Sequence, residues 1–107
     1  MALMEFAPPL SVVSLRGEQD ISNLEEVSAA LAAAIARDEG DVALDLSALE
    51  FLDASIAGAI IRAGEFLRAR SRSLVLRAPS SQVQRVLGVC GGDALTGMAT
   101  ATAGQGP

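Results

Sequence analysis

The 107-residue sequence predicts an α/β fold: one domain with a mostly parallel four- to five-stranded sheet and covering helices. The expected order is β-β-α-β-α-β-α with an optional last strand. Three observations predict it. Short runs rich in Leu, Val and Ile alternate with longer stretches whose apolar residues recur at helical spacing. A Gly, a Pro or a short polar residue stands at each change of pattern. Half the residues are apolar, enough to fill one core at this length without disulfide support.

Taken in order, Met4–Phe6 reads as a short edge strand. Pro8-Pro9 ends it, because proline has no backbone donor for a sheet interior. Leu10–Leu15 reads as the second strand, broken at Gly17. Ser22-Asn23-Leu24-Glu25 has capping-box spacing, with Ser22 as the cap and Glu25 reaching back. Leu24, Val27, Leu31 and Ile35 then form a helical stripe, the alanines between them favour helix, and Gly40 stops it. Val42–Leu46 reads as a strand with both faces covered, since Ala43 between Val42 and Leu44 is also apolar. Leu49, Phe51 and Leu52 carry the apolar content on to Asp53. A helix from Ala54 to Arg70 buries Ile56, Ile60, Ala63 and Leu67. Ser73–Arg77 reads as the next strand. Pro79 and two serines open a third helix, whose buried face is Val83, Val86, Leu87 and Cys90, and Gly91-Gly92 end it. The last strand is placed near Leu95–Ala99. Disorder is expected from Ala101, giving a domain over 1–100 and a tail over 101–107.

Composition narrows the function. Eight basic and 13 acidic residues give a net charge of −5, and every basic residue is Arg. Such a surface has little grip on a phosphate backbone, so no nucleic-acid partner is expected. Without His, Ser-His-Asp and Cys-His catalysis are excluded within this chain. One Cys and no His are too few soft ligands for structural zinc, so neither metal nor cofactor is expected. Cys90 is alone, in keeping with a reducing compartment, and reads as core. The first Arg is Arg16, so the basic start of a signal peptide is absent. The longest apolar run, Ala29 to Ala36, is far below the roughly 20 residues that span a bilayer. The expectation is a cytoplasmic protein with no direct membrane insertion.

In parallel sheets, sites gather beyond the carboxyl ends of strands, where the next helix begins. Three junctions have that form: Gly17–Asn23, Ser47–Ile56 and Ala78–Ser81. The second is the most informative. Asp53 can accept from the backbone N–H of Ser55 or Ile56, and its charge suits the positive end of the helix dipole. Asp20 reads as a turn or cap residue. Ile61 and Arg62 lie off the buried stripe, and an exposed Ile beside an Arg suits a protein interface. Arg68, Arg70 and Arg72 read as a solvated helix end near its negative pole rather than an anion site.

Three segments, in this order and spacing, carry a family resemblance: Leu15-Arg16-Gly17-Glu18-Gln19-Asp20, then Asp45-Leu46-Ser47 through Phe51-Leu52-Asp53-Ala54-Ser55, then Val83-Gln84-Arg85-Val86-Leu87. Over residues 4–95 the sequence resembles the STAS family, the fold of bacterial anti-sigma factor antagonists. The resemblance implies a binding module rather than an enzyme. Its partner would be an anti-sigma factor or serine-kinase-type switch protein, and a second copy of the chain is a further candidate. The implied docking surface comprises Asp20, Asp53, Ala54, Ser55 and Ile56, with Ile61 and Arg62 on the outer first half of the helix.

The resemblance also implies a phosphoacceptor serine directly after Asp53, and here the sequence departs from the family. That position is Ala54, which has no hydroxyl, and the Gly that commonly follows Ser55 is Ile56. Three readings follow. The chain binds its partner without being phosphorylated there; or Ser55 is the acceptor; or the module is an accessory or scaffold subunit of a lipid-transport or stress-signalling complex. For Ser55 the simpler reading is a helix-start hydroxyl bonding locally.

Overall fold

A computed structural model describes residues 2–7, 10–37, 39–91 and 99–101. Strand β1 (Ala2–Ala7) lies antiparallel to β2 (Leu10–Gln19) at the sheet edge. A 3-10 turn over Ile21–Asn23 leads into α1 (Leu24–Arg37). Then come β3 (Val42–Leu52), α2 (Ala54–Arg68), β4 (Leu74–Arg77), α3 (Ser81–Val89) and β5 (Ala99–Ala101). The sheet order is β1-β2-β3-β4-β5, parallel from β2 onward. Each crossover therefore steps one strand the same way. Right-handed crossovers put all three helices on one face, with α2 packed between α1 and α3.

The core lies between that face and the helices. Val13, Leu15, Leu44, Leu46, Leu74 and Leu76 of the sheet meet Val27 and Leu31 of α1, Ile56, Ile60 and Leu67 of α2, and Val83 and Leu87 of α3. Full burial of each such side chain contributes about 1.5–3 kcal/mol. The stripe predicted for α2 is buried throughout; on α1 Leu24 and Ile35, and on α3 Val86 and Cys90, are half-buried and pack against the core. On the opposite face, the register row Val12, Ala43, Val75 buries only its middle member, and Ser14, Asp45 and Arg77 are half-buried. The expectation that β3 is covered on both faces is thus corrected: helices cover one face.

Four local readings also differ from the structure. Gly17 does not end β2; it sits at φ +63° within the strand, beside register shifts that let two residues of β3 bulge. Those bulges explain why β3 runs on through Ser47–Leu52, which the sequence left as a junction. They reset the alternation, so Leu49 and Leu52 are buried three residues apart. The capping box belongs to Asp20 and Asn23, two residues earlier than Ser22 and Glu25. The described part of the final strand is Ala99–Ala101, so Ala101, expected to begin the tail, belongs to β5; the expected strand Leu95–Ala99 lies, apart from Ala99, outside the described residues, as do 102–107.

Candidate functional site

Gln19 and Leu52 are register partners at the carboxyl ends of β2 and β3. The next residue on each strand is an aspartate, so Asp20 and Asp53 stand side by side at the mouths of two helices. The Asp53 N–H donates to the Gln19 carbonyl at 3.2 Å. The Ile21 N–H donates to Asp53 Oδ2 at 3.0 Å, which ties the α1 entry to the α2 cap.

Asp53 caps α2 as predicted: its Oδ1 accepts from the Ile56 N–H at 3.1 Å and from the Ser55 hydroxyl at 2.6 Å. The Ser55 hydroxyl bond is the main cause that holds the Asp53 carboxyl below the usual carboxylate range. Desolvation opposes it, and the N–H groups of Ile56, Ile21 and Ser55 assist. Asp20 caps its own turn. Its Oδ1 accepts from the Ser22 N–H at 2.9 Å and hydroxyl at 2.6 Å, while Asn23 Oδ1 accepts from the Asp20 N–H at 3.0 Å.

The structure brings Asp20, Asp53, Ala54 and Ser55 together at this edge. Asp20 and Ala54 are exposed, and Asp53 and Ser55 half-buried. It removes Ile56 and Ile61 from the surface. Ile56 is 0% exposed, in the core between α2 and the sheet, and Ile61 is 8% exposed, buried outside that core cluster. Helical spacing puts Ile56 on the buried stripe of α2, where the structure places it; the docking surface implied by the resemblance is what loses it. Arg62 is exposed; its guanidinium folds back along α2, close enough that a β carbon at Gly58 would lie 3.2 Å from Nη1.

One residue escaped the sequence reading. Ile21, 68% exposed, stands between the two aspartates as the apolar element of the edge. An apolar residue inside a cap sequence, where the chain needs only polar groups, was the available signal.

Chemically the edge can bind but is poorly set for catalysis. A carboxylate held below its usual range is a weak base, so it does not activate the Ser55 hydroxyl it accepts from. Among the described residues no three His, Cys, Asp or Glu side chains gather as a metal site requires. No helix among them is long and apolar enough to cross a membrane.

A mixed sheet with an antiparallel edge strand, three same-sided crossover helices and a capped helix start beyond β3 is the fold of a STAS domain. The chain belongs to the family described as Mlab, STAS domain, whose profile matches residues 4–97. No curated protein matches it. Among solved structures, the anti-sigma factor antagonist SpoIIAA in its unphosphorylated form is similar with a TM-score of 0.74 at 21% identity, over 94% of this chain and 87% of that one. The Bacillus cell-fate determinant SpoIIAA in the phosphorylated form gives 0.71 at 24%, over 98% and 95%. A single-residue variant of RsbS from Moorella thermoacetica gives 0.75 at 23%, over 94% and 86%. At these identities the likeness establishes the fold.

Proposed function

We propose that this chain is a non-enzymatic, cytoplasmic regulatory module that docks an anti-sigma factor or serine-kinase-type switch protein. The docking edge is Asp20, Ile21, Asp53, Ala54 and Ser55, flanked by Arg62. The observation that supports it best is the helix start itself. Asp53 is tied to both strand ends, Ala54 is exposed where the family carries its phosphoacceptor, and the Ser55 hydroxyl is held by Asp53 at 2.6 Å. A phosphate there would add about −1.5 to −2 charges beside Asp53 and alter the surface a partner meets. Ala54 cannot take one, so the edge stays in its binding form.

Calorimetric titration with the switch kinases of the same organism tests this, with and without nucleotide. Binding to one of them is expected; binding to none overturns the reading. Incubation with that kinase and ATP should leave the wild type unmodified by mass spectrometry, whereas Ala54→Ser gains one phosphate. A phosphate on the wild type that Ser55→Ala abolishes would show that Ser55 is the acceptor. The missing hydroxyl at Ala54 also favours a second reading, an accessory or scaffold subunit of a lipid-transport or stress-signalling complex. A neighbouring gene for a transporter ATPase would support that reading, and one for a sigma factor or kinase the first.

A further inference from the structure

Alanine, the best helix former, fills the small positions Ala54, Ala57, Ala59 and Ala63 of α2. The helix also carries two glycines, which are poor helix formers. Gly64 is buried, but Gly58 is only half-buried, and its φ is not in the positive range that requires glycine. What stands over Gly58 is Arg62. A β carbon at position 58 would lie 3.2 Å from Nη1 and 3.9 Å from the guanidinium carbon, closer than a side chain packs without displacing its neighbour. Long helical side chains lean over the preceding turn, and Arg62 follows that direction. Its guanidinium therefore lies at the level of Gly58, one turn or about 6 Å along the axis from Ala54. Ser55, Gly58 and Arg62 are three and four positions apart, so they share one face of the helix. The docking edge is thus bipolar, with the carboxylates of Asp20 and Asp53 at one end and a guanidinium at the other. Arg62 is exposed and makes no ion pair among the described residues.

We infer that Gly58 is a positioning residue of the docking edge, and that Arg62, seated over it, is the cationic contact that takes a carboxylate of the partner. This rests on the docking reading above and adds the partner's chemistry to it. A guanidinium presents a planar fork that matches a carboxylate with two hydrogen bonds, which an ammonium does not. The two ends of the edge also fix orientation. A partner that meets the aspartates with a cation and Arg62 with a carboxylate fits one way round; reversed, like charges face each other. Any side chain larger than hydrogen at position 58 pushes the guanidinium away from the helix and so away from the edge. The poor helix former is kept at position 58 because the seat requires it.

The test is calorimetric titration of the full chain with the switch kinase that binds the wild type. Arg62→Ala should weaken binding about tenfold, and the deficit should shrink as NaCl is raised to about 0.5 M, because an exposed charge pair is screened. Gly58→Leu fills the seat with a good helix former. It should leave the urea midpoint no lower than that of the wild type and still weaken binding about tenfold. Gly58→Ala, which the guanidinium can accommodate with a smaller shift, should fall between the two. In the Arg62→Ala background neither Gly58 variant should cost anything further, because each acts through Arg62. Unchanged affinity of Arg62→Ala overturns the inference and leaves the docking reading standing. So does a loss from the Gly58 variants that persists in the Arg62→Ala background, which would mark a direct clash with the partner. An Arg62→Ala deficit that salt does not alter would show packing of the Arg stem and overturn the carboxylate contact. Failure of every switch kinase to bind the wild type overturns the docking reading, and this inference with it.

Discussion

At the residue scale, Asp53 joins stability to the docking edge. Its folded-state pKa is lowered, chiefly by the Ser55 hydroxyl. A lowered carboxylate contributes stability above its unfolded pKa, near 4, and loses it as pH falls through the folded value. Asp53→Asn keeps a cap acceptor but cannot titrate. The Tm gap between wild type and Asp53→Asn should therefore be constant above about pH 5 and close below about pH 4. A gap unchanged at pH 3 would show that the carboxyl is not stabilised. Ile56 carries a different lesson. The docking surface implied by the resemblance includes it, and from there Ile56→Asp would be expected to weaken binding with the fold intact, although helical spacing sets it on the buried stripe. With Ile56 fully buried, Ile56→Asp should instead abolish cooperative urea unfolding. Ile56→Ala should cost about 2–4 kcal/mol.

At the element scale, two joints decide how strands and helices meet. Gly17 holds φ +63° with no atom within 4 Å of where a β carbon would stand. The requirement for glycine there is conformational rather than steric. Gly17→Val should cost about 1–2 kcal/mol in urea unfolding, and Gly17→Asn less, because Asn tolerates the left-handed region. The second joint is Arg72. Sequence reading placed it at the solvated end of its own helix, but its guanidinium reaches the carboxyl end of α1 and the turn before β3. Asp41 adds to the same joint, accepting from the Ser73 N–H at 2.9 Å. Arg72→Ala should lower stability by about 1–2 kcal/mol, and Arg72→Lys should recover little, because one ammonium does not reproduce the fork.

At the scale of the whole molecule, β3 is the centre, paired along its length with β2 and over its first half with β4. Hydrogen exchange should be slowest in its amides from Val42 to Leu46 and fastest in the edge strand β1. Comparable protection of β1 and β3 would contradict the strand order. The sequence determined the class of fold, because burial periodicity differs between strand and helix, and it determined the α2 cap, because an aspartate before an apolar stripe has a local hydrogen-bonding reason to stand there. It also determined what the site lacks, since no His or Lys exists to activate a nucleophile. Only the tertiary structure decided which residues face out. Bulges in β3 slip the alternation that a sequence reader counts, and packing around α2 buries Ile61, off the predicted stripe, while leaving Ile21 in solvent. The pairing of Gln19 with Leu52, which sets Asp20 beside Asp53, joins residues more than thirty positions apart, and no local pattern encodes so distant a neighbour.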